Sequence, residues 1–120
     1  MLVRRMTKFL APVTQQLDRG FQALADATRR AVIARLTAGE ASVAELAAPF
    51  DMALPSFLQH VRVLETAGLI TTVKKGRVRM CRLEAERLAA LEGWISRYEA
   101  AWHTRLDRLG QILETKGDTQ

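Results

Sequence analysis

The sequence predicts a mostly α fold of the α+β class, with one β-hairpin set among helices, and three observations lead there. First, Leu54 to Gly68 places Phe57, Val61 and Leu64 at helical spacing, with Ser56, Gln59 and Arg62 elsewhere on the wheel. One side of that helix packs and the other is free to read a partner. Second, Ile70 to Leu83 follows as strand, turn and strand, and its charges, Lys74, Lys75, Arg77, Arg79 and Arg82, are all basic. Third, from Glu84 the apolar residues Leu88, Leu91, Ile95, Tyr98, Trp102, Leu106, Leu109 and Leu113 step by three or four towards the end of the chain. A helix with a reading face, then a basic hairpin, is the arrangement of a winged helix-turn-helix.

Taken in order, Leu2, Met6, Leu10, Val13 and Leu17 predict an N-terminal amphipathic helix, kinked or restarted at Pro12. Asp18 to Ala25 continues as a short helix with Phe21 and Leu24 inward, and Gly20 weakens it locally. Asp26 should cap the next helix by accepting from the backbone N–H of Thr28 or Arg29. Ala31, Val32, Ile33 and Leu36 form its buried stripe, and Gly39 stops it. Its arginines, Arg29, Arg30 and Arg35, are either solvated surface or phosphate contacts.

Ser42-Val43-Ala44-Glu45 reads as a capping box, with Val43, Leu46 and Ala47 inward and Pro49 closing the helix early. Phe50 to Ala53 makes the turn into the helix at Leu54, where Pro55 is tolerated because first-turn N–H groups lack partners. Two helices joined by a tight turn give the helix-turn-helix layout. Gly68 is placed for a left-handed C-cap, with Leu69 supplying its apolar contact, so the helix ends at Ala67. Lys75-Gly76 is the expected hairpin turn. Alternation does not decide which hairpin face is inward, because Leu83 is in phase with Arg77, Arg79 and Cys81.

The expected division is an N-terminal dimerisation helix over 1–17, a core over 18–83, a C-terminal dimerisation helix over 84–115 and a tail over 116–120. A helix of about 32 residues is a rod of about 48 Å, longer than a small domain needs to close its own core. The surplus stripe implies a partner helix, most simply its own copy in a second subunit assisted by the N-terminal helix, the alternative being a helix folded back fully against its own domain.

The chain carries a formal net charge of +5. Five bases lie between Lys74 and Arg82 with no acid among them, which favours a polyanion partner over a basic face that merely keeps the protein soluble. A single cysteine, Cys81, makes an intramolecular disulfide impossible and fits a reducing compartment. The apolar run near the start is too short for a secretory signal, and no stretch reaches the roughly 20 apolar residues of a membrane span. A cytoplasmic protein is expected. Met6 offers an alternative start, which would make the first five residues an optional extension. No nucleophile–base pair, glycine-rich phosphate loop or carboxylate dyad stands out, so the sequence does not read as an enzyme.

Four strings together resemble the ArsR/SmtB family of dimeric winged-helix repressors. They are Phe21-Gln-Ala-Leu-Ala-Asp-Ala-Thr-Arg-Arg-Ala-Val-Ile, Glu45-Leu-Ala, Gln59-His-Val-Arg-Val-Leu-Glu-Thr-Ala-Gly-Leu-Ile and Gly76-Arg-Val-Arg-Met-Cys-Arg-Leu. The likeness covers Leu17 to Leu83, and Tyr98 to Leu109 is similar to the last helix of a subgroup without a known metal. The resemblance implies a homodimer joined through its first and last helices, with the Leu54–Ala67 helix in the major groove and the hairpin as a wing near the minor groove. Ala53 and Leu58 stand where the family commonly has serine, and Ala27 where proline often follows the capping aspartate. Metal-sensing members use Cys-x-Cys in the helix here spanning Ser42 to Ala48, or His and Asp pairs on the last helix. Neither is present, and Cys81, His60 and His103 do not make a four-ligand set.

The expected function is that of a sequence-specific, double-stranded-DNA-binding regulator, a dimeric repressor on an inverted-repeat operator, with no cofactor and an unknown effector. Ser56 and Gln59 would contact base edges, glutamine favouring adenine, and Arg62 a guanine or a phosphate. Leu58 would touch a thymine methyl or extend the apolar stripe, and His60 is a phosphate contact or a packed side chain. Lys74, Lys75, Arg77 and Arg79 would hold the DNA backbone. Leu10, Val13, Leu91, Ile95, Tyr98, Trp102, Leu106 and Leu109 would form the dimer interface. Cys81 is either a small packing residue or, helped by Arg79 and Arg82, a redox-sensing thiolate. The alternative is a winged helix that serves as a protein-interaction or dimerisation module, to which Leu54, Leu58 and Val63 lend support.

Overall fold

The computed structural model describes residues 14–118. Helix α1 covers 14–24, followed by α2 (Ala27–Leu36), β1 (Ala41–Ser42), α3 (Val43–Ala47), α4 (Leu54–Thr66), β2 (Ile70–Lys75), β3 (Val78–Leu83) and α5 (Ala85–Asp118). The strands form one antiparallel sheet in the order β1-β3-β2. Leu10 and Val13 lie outside the described residues, as does the Pro12 kink. Residues 14–24 are one continuous helix, with no break at Asp18.

Local chemistry sets most of the element boundaries. Asp26 caps α2, its Oδ2 accepting from the Arg29 N–H at 3.0 Å. Ser42 caps α3 through Oγ to the Glu45 N–H at 3.1 Å. The reciprocal half of the capping box is absent, because the Glu45 carboxylate instead lies 3.6 Å from Arg35 on α2. Gly68 takes φ +77° after α4, and the Leu69 N–H reaches back to the Leu64 carbonyl while that of Gly68 reaches Glu65. This is the left-handed cap expected there, and Leu69 is buried beneath it. Among the capped helices α4 differs, since Ala53 offers no side-chain acceptor and Pro55 occupies the first turn.

The core gathers under α4. Phe57, Val61 and Leu64 are 0%, 3% and 0% exposed, packed with Val32, Ile33 and Leu36 of α2, Leu46 of α3 and Ile70 and Cys81 of the sheet. Phe50 and Met52 close the turn against it, and the Phe50 and Phe57 rings stack at 5.7 Å. Ala31 faces solvent, contrary to the expected stripe on α2, because the buried arc is only wide enough for Val32, Ile33 and Leu36.

The hairpin turn is Gly76-Arg77, one residue later than expected, since Lys75 still pairs with Val78. Gly76, at φ +65°, stands where a type II′ turn needs positive φ. The inward face is the phase of Cys81 and Leu83, opposite Thr72 and Ile70. Beyond Cys81 that face leaves the core, so Arg79 lies in an inward phase yet reaches water. The two-residue strand β1 was not foreseen. It pairs Ala41 with Cys81 and Ser42 with Met80, covering what would otherwise be the free edge of β3.

Helix α5 runs 34 residues, about 50 Å. It continues three residues past the expected end at 115. Its first turns belong to the domain. Glu84, just before it, accepts from Thr71 Oγ1 at 2.9 Å and Arg82 at 3.2 Å, and its N–H bonds the Leu69 carbonyl at 2.8 Å. Leu91 is 4% exposed and packs on α1. It is therefore a residue of the protomer's own core, which corrects its placement on an intersubunit stripe. The close approach depends on Gly20, where a Cβ would stand 2.7 and 2.9 Å from the Leu91 methyls. Phe21 and Trp94 extend the seam, edge to face at 5.5 Å.

Gly20→Ala would raise the helix propensity of α1 by about 0.5–1 kcal/mol, against about 1–3 kcal/mol for overpacking on Leu91. A net loss of about 1 kcal/mol in urea unfolding is expected; a net gain would mean that α1 and α5 are not tightly seated.

Candidate nucleic-acid interface

With Phe57, Val61 and Leu64 facing inward, the rest of α4 is presented outward. Ser56, Gln59 and Arg62 are all exposed, and Arg62 has no ion-pair partner among the described residues. Leu58 also faces solvent, with Leu54 and Val63.

The two flanks of α4 are held differently. On the wing side, Glu65 Oε2 accepts from Thr72 Oγ1 of β2 at 2.9 Å, and Arg79 reaches the same hydroxyl oxygen at 3.4 Å. Lys74, Lys75 and Arg77 project from this hairpin without acidic partners among the described residues. The hairpin thus carries a basic tip beside the exposed face of α4.

On the other side stands the junction of α1 and α2. Arg29 donates from Nε to the Ala23 carbonyl at 2.7 Å, from one terminal nitrogen to the Gln22 carbonyl at 3.0 Å, and from the other to His60 Nδ1 at 3.2 Å. Arg30 adds a bond to the Leu24 carbonyl at 2.8 Å. The last carbonyls of α1, which a helix leaves without internal partners, are thus satisfied by cations from α2. Arg29 is neither of the expected alternatives, solvated surface or phosphate contact; it staples α1, α2 and α4 together. Because a guanidinium has only donors, His60 Nδ1 must accept, placing the imidazole proton on Nε2. His60 also sits 3.6 Å from Asp26 Oδ2. Of its two expected roles, the packed one is the one the geometry supplies.

Between α1 and the outer face of α4 runs a groove of about 450 Å³, lined by Arg19, Gln22, Gln59, Arg62, Val63 and Thr66. Arg19 and Gln22 were not expected beside the exposed face of α4. Their spacing shows only that they leave the buried side of α1; what brings them to α4 is the Arg29 staple, a tertiary contact with no local signal.

A helix-turn-helix domain family matches residues 24–73, which span α2 to β2. HTH-type transcriptional regulator Rv2034 of Mycobacterium tuberculosis is 39% identical over 101 residues, covering 84% of this chain and 92% of that protein. The crystal structure of an ArsR family transcriptional regulator, RHA00566, has 53% sequence identity and a TM-score of 0.71, covering 75% of this chain and 93% of that one. The chain belongs to the ArsR family of winged helix-turn-helix transcriptional regulators. Its fold is shared by a homodimeric winged helix-turn-helix DNA-binding domain from Mycobacterium bovis, at 23% identity and a TM-score of 0.61 over 78% of this chain and 88% of that one. These relatives are regulators rather than enzymes, and none supports a winged helix used only for protein contacts.

In this ArsR-family chain Cys81 is fully buried, and burial, seconded by Glu65, pushes its thiol above the usual range. Arg79 pulls the other way and is outweighed. A protonated, enclosed thiol is a packing residue, so the redox alternative fails on access and on protonation. Among the described residues, no three His, Cys, Asp or Glu side chains gather as a metal site would need, and no helix is long and apolar enough to cross a membrane.

The Asp26 carboxyl lies below its ordinary range, chiefly because the Arg29 backbone N–H donates to it, with the Arg29 charge, and that of His60 when its imidazole is protonated, adding to the effect. A carboxyl depressed in the folded state contributes stability above its unfolded value near 3.9, and that contribution is lost as pH falls through the folded value. Asp26→Ala should therefore cost about 1 kcal/mol at pH 7. The gap to wild type should narrow on acidification below about pH 4. A gap independent of pH would assign the effect to something other than the carboxylate.

Proposed function

We propose that the protein is a homodimeric repressor that binds an inverted-repeat operator in double-stranded DNA. The observation that carries this reading is the partition of α4: an apolar stripe fully buried, and Ser56, Gln59 and Arg62 presented opposite it beside a hairpin tipped with Lys74, Lys75 and Arg77. A helix is the right width for the major groove, and glutamine can pair with both adenine N6 and N7 there. Ser56 and Gln59 read base edges, Leu58 meets a thymine methyl and Arg62 takes a guanine or a phosphate. Lys74, Lys75, Arg77 and Arg79 hold the backbone, which gives affinity without sequence choice. His60 acts from within the protomer, setting the angle of α4.

The second subunit follows from α5. Ile95, Tyr98, Trp102, Leu106, Leu109 and Leu113 stand between 49% and 60% exposed, a continuous apolar row on a rod that outreaches its own domain. Such a row on a single copy marks an association surface. The M. bovis domain of the same fold is itself a homodimer. Two-fold symmetry then sets the half-site centres about 34 Å apart. The protein works in the cytoplasm, where its DNA is.

If the dimer neutralises about eight phosphates, log affinity should fall against log salt with a slope of roughly −7. Gln59→Ala should relax discrimination between operator and mutated sites by about 1–3 kcal/mol at one base pair, whereas Lys75→Ala should weaken all sites alike. Fluorescence anisotropy on labelled duplexes measures both. A salt-independent affinity, or the two variants exchanging behaviours, would contradict the assignment of readers and clamps.

A further inference from the structure

We propose that the groove between α1 and α4 seats a phosphodiester strand of the DNA, and that Arg19 is its phosphate contact. The inference rests on the DNA-binding reading above and extends it to a helix that reading does not use. A major groove about 12 Å wide is filled by a helix 10–12 Å across, so a sugar-phosphate backbone must run along each flank of an inserted helix. The two flanks of α4 are defined by different contacts. Glu65 ties one to Thr72 of the wing, and His60 ties the other to Arg29 of α2, which bonds the carbonyls ending α1. The wing flank has its cations in Lys74, Lys75 and Arg77.

The α1 flank has the groove. Its lining holds two arginines, Arg19 from α1 and Arg62 from α4, and no acid. Neither guanidinium has a hydrogen-bond or ion-pair partner among the described residues, whereas Arg29 nearby makes three hydrogen bonds and Arg30 one. Gln22 and Thr66 add neutral donors on the two walls. Unpaired guanidinia and amide and hydroxyl donors, set around a channel open to solvent whose floor includes Val63 and Ala67, match the acceptor-only oxygens of a phosphodiester and the apolar edge of its sugars. The groove also reaches Gln59, so a backbone lying in it runs beside the reader of base edges. Arg19 thereby couples the register of the DNA to α1, the helix packed on α5 through Gly20 and Leu91.

The test compares full-length wild type, Arg19→Ala and Arg19→Lys on an operator duplex and a scrambled duplex across a salt series. One phosphate lost per protomer should make the salt slope of Arg19→Ala shallower by about two for the dimer. Affinity for operator and scrambled DNA should drop by the same factor, and Arg19→Lys should recover most of the slope. Circular dichroism and thermal unfolding should match wild type, since the exposed side chain holds nothing in the fold. Replacing single phosphates beside the half-site with neutral methylphosphonate should weaken wild type at one position and leave Arg19→Ala indifferent there. An unchanged slope in Arg19→Ala would overturn the proposal, whether the groove stays empty or takes a small organic anion. Wild type that binds neither duplex would fail the DNA-binding reading itself, and this one with it.

Discussion

The rest of the structure depends on one partition: the face of α4 carrying Phe57, Val61 and Leu64 is wholly enclosed, so the opposite face has nowhere to go but water. Burial of these side chains outweighs every other local term on the helix. Removing the Phe57 ring would cost about 3–5 kcal/mol, against about 1 kcal/mol for a typical N-cap, and α4 has no side-chain cap at all. Packing rather than local propensity therefore holds this helix. The same packing turns Ser56, Gln59 and Arg62 outward as a set.

Burial fixes which face points out but leaves the helix free to rock, and the polar contacts on its flanks remove that freedom. Glu65 to Thr72 ties it to the wing; His60 to Arg29 ties it to the carbonyls ending α1. Both are partly exposed hydrogen bonds of modest strength, so their part is angular rather than energetic. Because α1 also seats on α5 where Gly20 admits Leu91, the orientation of α4 is referred through two contacts to the rod that carries the exposed apolar row.

How much of this was legible in the sequence follows from the range of each determinant. Asp26 before α2, Ser42 before α3 and Gly68 after α4 act within four residues, and each boundary stands where the residue types put it. The α4 stripe was readable for the same reason, since one helix carries the whole period. Where the determinant is tertiary, the reading fails or stays open. The inward phase of the hairpin is set by the helices that enclose Ile70 and Cys81, and the two-residue strand β1 beside it has no pattern to recognise. The turn slips by one because Lys75 pairs across to Val78. Glu45 turns to Arg35 instead of completing its capping box. Leu91 continues the apolar spacing of α5 yet belongs to the domain, because Gly20 lies opposite it. The place of Arg19 beside Gln59 has no local signal, since α1 is held against α4 by contacts from the next helix.

A single protomer of this fold presents one short exposed helix face and one basic hairpin, a small surface for sequence choice, and α5 carries an apolar row that its own domain does not cover. The most direct test is to let the purified full-length protein select from a random pool of duplexes. The account predicts an enriched inverted repeat, bound by one dimer, with its half-sites one helical turn apart on the same face of the DNA. Enrichment of a lone half-site bound by a single chain, or no enrichment at all, would contradict it.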